Sequence, residues 1–136
     1  DTLRTEMGYP LHGHELSLEI TPVQAGSTWA VGWKKESFRG SDALRSEKES
    51  GPVRILRGLQ STDRGIPRAG MEVKSSSGDV IGTITSGTFS PSLKKGIALA
   101  LINPEYKVGD ELTIDVRGRD SLATITKLPL VTSNVR

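Results

Sequence analysis

The stretch Glu111-Leu112-Thr113-Ile114-Asp115-Val116 alternates polar and apolar residues at every position. Because successive side chains of a β-strand point to opposite faces, this pattern predicts a strand whose leucine, isoleucine and valine face a core. The turn Arg117-Gly118-Arg119-Asp120 follows it, and Ser121–Thr126 is predicted to form the last strand of the chain. Two strands joined by a short polar turn indicate antiparallel β structure.

The residues that precede this pair predict further strands of the same kind. These strands are expected at Met71–Val73, Val80–Thr85, Ile97–Ile102 and in a run from Val53 to Leu59. Turns that carry glycine or proline separate them, and short strands so spaced favour a closed barrel or sandwich over a parallel sheet. We predict a mainly β (α+β) fold, in which residues 53–136 form a six-stranded antiparallel barrel of Greek-key type.

The first 52 residues have a different pattern, and Gly51-Pro52 marks the predicted boundary. Short helices, a loop and one strand are expected here, which makes residues 1–52 a small α/β segment in front of the barrel. The expected elements are a helical turn over Leu3–Met7 that Gly8 ends, a short helix opened by the capping pattern Thr21-Pro22-Val23-Gln24, a strand over Thr28–Trp33, and a helix over Asp42–Lys48.

Composition excludes several classes of function. With 136 residues, 35% hydrophobic and 25% charged, the chain is long enough to bury a core, and its net charge is only +2. The absence of cysteine excludes disulfides, thiolate nucleophiles and cysteine-bound metals, and favours a reducing, intracellular compartment. No basic run carries interleaved aromatics and no apolar stretch reaches the length of a membrane span, so neither nucleic acid nor membrane is expected as a partner.

Two motifs that suggest chemistry have simpler interpretations. His12-Gly13-His14-Glu15 lacks a further ligand at a regular spacing, so we expect no metal site there. Ser90-Pro91 is typical of a helix N-cap and first helical position, and no base is spaced to activate the serine. We therefore predict a helical turn within Ser86–Gly96, with Gly87 in an unusual backbone conformation and Leu93 at the barrel end, so that this segment plugs the barrel.

Three segments of the chain carry a resemblance to a known family, in that family's order. They are Asp1–Leu16 (DTLRTEMGYPLHGHEL), Ile20–Gly26 (ITPVQAG) and Thr83–Ala100 (TITSGTFSPSLKKGIALA). All three are similar to the C-terminal portion of glycine-cleavage aminomethyltransferases, the T proteins. The third segment is the most specific, and the match extends over essentially the whole chain.

This resemblance implies a function. T proteins transfer a methylene group from an aminomethyl-lipoyl carrier, the H protein, to tetrahydrofolate and release ammonia, so tetrahydrofolate is the expected substrate and lipoylated H protein the expected partner. The general acid/base of the family is an aspartate of the N-terminal half, and no catalytic residue is therefore expected in this chain. Tyr9 and Arg136 match positions from which the family contacts folate.

The resemblance also implies where the chain fits in a larger enzyme. Residues 1–52 would be a remnant of the folate-binding domain, packed against the missing N-terminal half or another copy of the chain. The expected location is the bacterial cytoplasm, or the mitochondrial matrix in a eukaryote.

An alternative is the folate-binding C-terminal domain of dimethylglycine or sarcosine dehydrogenases. Those proteins carry other residues where this chain has His12-Gly13-His14 and Phe89–Leu93, which favours the aminomethyltransferase. A folate-binding relative that acts in iron–sulfur assembly is usually recognised by a cysteine motif, which this chain lacks.

Overall fold

A computed structural model describes residues 1–133 of the chain. Its helices lie in the first 50 residues, and its strands all lie in the second part of the sequence. The elements are α1 (Thr2–Met7), a 3₁₀ helix (Thr28–Ala30), α2 (Ser41–Ser50), β1 (Ile55–Ser61), β2 (Glu72–Lys74), β3 (Val80–Ser90), β4 (Lys95–Ile102), β5 (Glu111–Asp115) and β6 (Asp120–Thr126). None of the helices within residues 1–133 has the length and hydrophobicity needed to cross a membrane.

The six strands form a closed antiparallel barrel in the order β1-β4-β3-β2-β5-β6, which confirms the predicted fold. β4 pairs with both β1 and β3, so the strand order departs from the sequence order. Leu112 and Ile114 of β5 are buried in the barrel core as their alternation predicts, and Val116 packs against that core just beyond the strand. The other buried core residues are Leu59, Val73, Ile84, Ala98, Ala100, Ile102, Ala123 and Ile125.

β4 is buried on both of its faces. Ala98 and Ala100 face the barrel core, whereas Leu99 and Leu101 belong to a second apolar cluster outside it, where Ile20 packs against them. Helix α1 contacts the outer side of β3 and β4. The N-terminal segment thus covers part of the barrel's outer wall. Because β4 is covered on both sides, its sequence is a continuous apolar run rather than an alternating one.

The predicted strand over Thr28–Trp33 is wrong. Residues Thr28–Ala30 form a 3₁₀ helix, and the indole Nε1 of Trp33 donates a 2.7 Å hydrogen bond to the Thr28 carbonyl. Residues 22–26 form turns rather than a helix, although the Gln24 N–H does donate to the Thr21 hydroxyl, at 3.2 Å. A preference for β structure is realised only where a partner strand is available, and this segment has none.

The segment Ser86–Gly96 is a β-hairpin, so the predicted helical plug is also wrong. β3 continues to Ser90, residues 91–94 form the turn, and Gly87 lies within β3 without a positive φ angle. The predicted cap interaction of Ser90 does form, because its Oγ accepts a 3.1 Å hydrogen bond from the Leu93 N–H. The hairpin forms part of the barrel wall, and the connection between β1 and β2 closes the end of the barrel.

The connection between β1 and β2 closes this end of the barrel. A Cβ on Gly87 would meet the Pro67 carbonyl group, with the carbonyl carbon 2.6 Å away. A Cβ on Gly96 would meet the Gly65 carbonyl oxygen and would lie 2.8 Å from Pro67 Cδ. Pro67 is buried between the strands. Both glycines are therefore required because backbone crosses directly over them.

Candidate functional site

A cavity of about 880 Å³ opens at the barrel end that the Gly65–Pro67 segment closes. Its floor is apolar, since Met71 and Val116 line it and also pack against the barrel core. Four arginines surround that floor, and the remaining lining residues are two aspartates, Gly65, Ile66 and Ser121. The charged lining residues are Arg64, Arg68, Arg117, Arg119, Asp63 and Asp120.

The closure of the barrel brings the four arginines together. Arg64 and Arg68 belong to the connection between β1 and β2, and Arg117 and Arg119 to the turn between β5 and β6. Because β2 pairs with β5 and β1 pairs with β6, these two connections emerge side by side at one end of the barrel. This site is not recognisable from the sequence, since the two pairs of arginines lie about fifty residues apart in the chain.

Both carboxylates of the cavity already have partners within the protein. Asp63 accepts hydrogen bonds from Ser121 Oγ at 2.5 Å, the Gly65 N–H at 2.8 Å and the Leu122 N–H at 2.9 Å. These bonds, that of Ser121 foremost, hold the pKa of Asp63 below its ordinary value. Asp120 lies 3.5 Å from the Lys74 ammonium. The four guanidinium groups outnumber the two carboxylates, both of which have partners within the protein. The cavity is therefore expected to attract anions.

Tyr9, a predicted folate contact, lies on the outside of the barrel at the end of α1. Gly8 ends the helix in a left-handed conformation (φ 70°), and the Tyr9 N–H donates a 2.8 Å hydrogen bond to the Arg4 carbonyl. The tyrosine side chain is 61% exposed. Its backbone is therefore fixed while its ring is free to contact another molecule.

The C-terminal tail passes the same end of α1. The Leu128 side chain lies against Gly8, so that a Cβ there would come within 3.0 Å of it. The N–H groups of Leu130 and Val131 both donate to the Glu6 carbonyl, at 2.8 and 3.2 Å. This run brings the tail beside the predicted contact Tyr9. Arg136, the second predicted folate contact, lies outside the described residues.

Residues of the motifs His12-Gly13-His14-Glu15 and Ser90-Pro91 form hydrogen bonds to other parts of the protein. The Nδ1 atom of His14 lies 2.9 Å from the Thr85 carbonyl oxygen, and the carboxylate of Glu15 is buried against Ser86. Ser90 is completely buried and donates a 2.5 Å hydrogen bond to the carboxylate of Glu6. The burial of the Glu6 and Glu15 carboxylates is not predictable from the sequence, because nothing in a helix or loop pattern shows that a carboxylate is buried.

Residues 54–131 match the family model described as the glycine cleavage T-protein C-terminal barrel domain. The chain belongs to the T-protein family. This membership confirms the family resemblance of the three sequence segments, and the T-protein barrel domain corresponds to the six strands described above.

Proteins similar to this T-protein chain are named aminomethyltransferases. The chain is 56% identical over 136 residues to the aminomethyltransferase of Parafrankia sp. (strain EAN1pec), and 58% identical over 139 residues to that of Mycolicibacterium paratuberculosis. Each alignment covers 100% of this chain and 37% of the relative. The chain thus spans little more than a third of the length of these relatives.

A solved T-protein structure has the same fold. The crystal structure of glycine cleavage system aminomethyltransferase T from Bartonella henselae superposes with a TM-score of 0.89 at 35% identity. The match covers 96% of this chain and 37% of that protein, so it includes the N-terminal segment together with the barrel. This chain therefore contains the T-protein C-terminal barrel domain together with the segment that precedes it.

Proposed function

We propose that this chain is part of an enzyme that transfers a methylene group from aminomethyl-lipoyl H protein to tetrahydrofolate, with release of ammonia. The observation that carries this proposal is the alignment of the whole chain with aminomethyltransferases at 56% identity. The alignment covers 37% of that relative, so the activity belongs to a longer protein. Within it, this chain positions substrates, and a carboxylate elsewhere handles the protons of the reaction.

Tetrahydrofolate is the proposed acceptor substrate, and Tyr9 and Arg136 are its proposed contacts in this chain. The exposed ring of Tyr9 supports this role, because an aromatic face stacks well on a planar heterocycle. Its backbone position is fixed by the Arg4 carbonyl and by the packing of Leu128 against Gly8. A guanidinium group in the tail would complement the carboxylates of the folate glutamate.

The arginine cavity is the proposed contact surface for the H protein, which is a small acidic carrier. Arg64, Arg117 and Arg119 project from two connections at the barrel end, where four arginines meet only two engaged aspartates. Complementary charge of this kind mainly accelerates and orients the encounter of two proteins. The cavity adjoins the β3–β4 hairpin, because Arg68 Nη1 donates a 3.3 Å hydrogen bond to the Gly87 carbonyl.

The N-terminal segment is proposed to pack against the remainder of the enzyme or against a second copy of the chain. Leu3, Leu18 and Trp29 are all largely exposed, and large exposed apolar side chains favour contact with another surface.

The cytoplasm is the proposed location of the protein, which the bacterial origin of the relatives named above supports.

The contact with the carrier is tested by reversing charge at the cavity. In the full-length protein that contains this chain, we expect the double variant Arg64→Glu and Arg119→Glu to raise KM for the aminomethyl-lipoyl carrier about tenfold at low salt. The difference from the unaltered enzyme should shrink as salt screens the charges. KM for tetrahydrofolate should not change, since Tyr9 does not line the cavity.

Arg39→Glu is the matched control, because Arg39 is exposed in the loop that precedes α2 and is not part of the cavity. It changes the net charge in the same direction, by half as much as the double variant. It is expected to leave KM for the carrier within about twofold of normal, the scale of an exposed charge outside the contact. Equal KM values for the carrier in the cavity variant and the control would contradict the proposed contact.

A further inference from the structure

Glu15 carries a carboxylate that is completely buried, with 0% exposure. Three donors surround it: Ser86 Oγ at 2.5 Å, the Leu11 N–H at 3.0 Å and Arg4 Nη1 at 3.3 Å. Arg4 also donates from Nη2 to Ser86 Oγ at 3.1 Å, which closes the network on itself. A buried carboxylate persists in a protein only when it is satisfied in this way.

The three donors belong to three different parts of the fold. Arg4 lies in α1, Ser86 lies in β3 next to the irregularity in its pairing with β4, and Leu11 follows Tyr9 in the loop after the helix. One carboxylate therefore joins the helix, the barrel wall and the loop. If it were removed, these elements would lose a shared point of attachment.

The backbone of Tyr9 lies between two anchors of this network. On its N-terminal side the Tyr9 N–H is bonded to the carbonyl of Arg4, whose side chain reaches Glu15. On its C-terminal side the Leu11 N–H is bonded directly to the Glu15 carboxylate. The Leu11 carbonyl in turn accepts from the N–H groups of His14, Glu15 and Leu16. The loop that carries the exposed ring is thus tied to the barrel from both sides.

A buried ionic network is a poor source of stability, because desolvation offsets most of its attraction and an apolar cluster of the same volume is often as stable. What such a network supplies is a defined geometry, since each donor and acceptor restricts its partner. We propose that Glu15 is a positioning residue for the folate-binding side, where it sets the place of the Tyr9 ring through Arg4, Ser86 and the Leu11 backbone. This proposal rests on the proposed function, in which Tyr9 contacts tetrahydrofolate.

Two serines of β3 provide a matched pair for the test. Ser86 and Ser90 are both buried, and each donates a 2.5 Å hydrogen bond to a buried glutamate, Glu15 in one case and Glu6 in the other. Ser86 acts on the carboxylate that holds the Tyr9 loop, whereas Ser90 acts on a carboxylate within α1. Their alanine variants remove the same chemical group at about the same depth.

The experiment measures tetrahydrofolate binding, KM and kcat in the full-length protein that contains this chain, together with Tm. We expect Ser86→Ala to raise Kd and KM for tetrahydrofolate about fivefold, and Glu15→Gln, which places an amide N–H₂ against donors, about tenfold or more. KM for the carrier should remain unchanged in both. Ser90→Ala should lower Tm at least as much as Ser86→Ala and leave Kd for tetrahydrofolate unchanged.

The two possible failures are distinguishable. If the unaltered full-length protein does not bind tetrahydrofolate, the proposed function itself is wrong. If it binds tetrahydrofolate but Ser86→Ala and Ser90→Ala have equal Kd values, Glu15 has only a structural role and the positioning proposal is overturned. Ser86→Ala, the smaller change, decides the question even if Glu15→Gln does not fold.

Discussion

We expect the isolated 136-residue chain to show no turnover when it is mixed with aminomethyl-lipoyl carrier and tetrahydrofolate. The proposed reaction needs a carboxylate that exchanges protons with folate nitrogens, and the family resemblance implies an aspartate of the N-terminal half for this role. At the cavity, Asp63 accepts a hydrogen bond from Ser121 and Asp120 pairs with Lys74, so both carboxylates already have partners within the protein. The chain is expected to position substrates without activating them.

The measurement is ammonia release in a coupled assay, with the full-length protein as a positive control under the same conditions. The isolated chain is expected to remain at the uncatalysed rate, since positioning without the acid/base group and the rest of the substrate cavity gives little acceleration. Circular dichroism should first show that the barrel is folded. Turnover by the folded chain at a rate near that of the full-length protein would contradict the expectation that this chain only positions substrates and that the acid/base group lies elsewhere.

We expect Gly96→Ala to destabilise the barrel by about 3 kcal/mol or to prevent its folding, because the added methyl overpacks a rigid site. The new Cβ would collide with the Gly65 carbonyl oxygen and lie 2.8 Å from both Pro67 Cδ and Ser61 Oγ. Two of these neighbours belong to the backbone or ring of the segment that closes the barrel, so they cannot rotate away as a flexible side chain would.

Gly32→Ala is the control for this substitution. Gly32 is exposed, and the nearest atoms to an added Cβ are those of the flexible Lys35 side chain, 3.3 Å away. Its effect on the free energy of unfolding should stay within about 0.5 kcal/mol, as for most surface positions. Denaturant unfolding of both variants measures the difference. Equal stability of Gly96→Ala and the control would contradict the close crossing of the Gly65–Pro67 segment.

The barrel was predictable from the sequence because its strands carry their own signal. The alternation over Glu111–Val116 predicts a strand with one face toward a core, as observed in β5. The helix from Ser41 is predicted by the glycine before it and by Gly51, which ends it. The strand predicted at Thr28–Trp33 failed since aromatic and β-branched residues favour β structure only where a neighbouring strand accepts their hydrogen bonds. A local sequence pattern does not show which distant segments pair with one another.

The sites were less predictable than the fold for the same reason. The four arginines come from two turns that become neighbours only when β2 pairs with β5 and the barrel closes. An available signal was that two connections between strands, residues 62–71 and 116–119, each carry two arginines. Glu6 and Glu15 gave no comparable signal, because the serines that bind them lie more than seventy residues away in sequence.

The central claim, that this chain serves in aminomethyl transfer, is tested most directly by the reaction of the full-length protein that contains it. We predict that ammonia and methylenetetrahydrofolate form in equal amounts when aminomethyl-lipoyl carrier and tetrahydrofolate are both present, and that omission of either abolishes both products. Sarcosine and dimethylglycine, supplied with an electron acceptor, should not replace the carrier. Oxidation of either amine by this protein, without any reaction of the aminomethyl-lipoyl carrier, would contradict the claim and assign the chain to the dehydrogenase class.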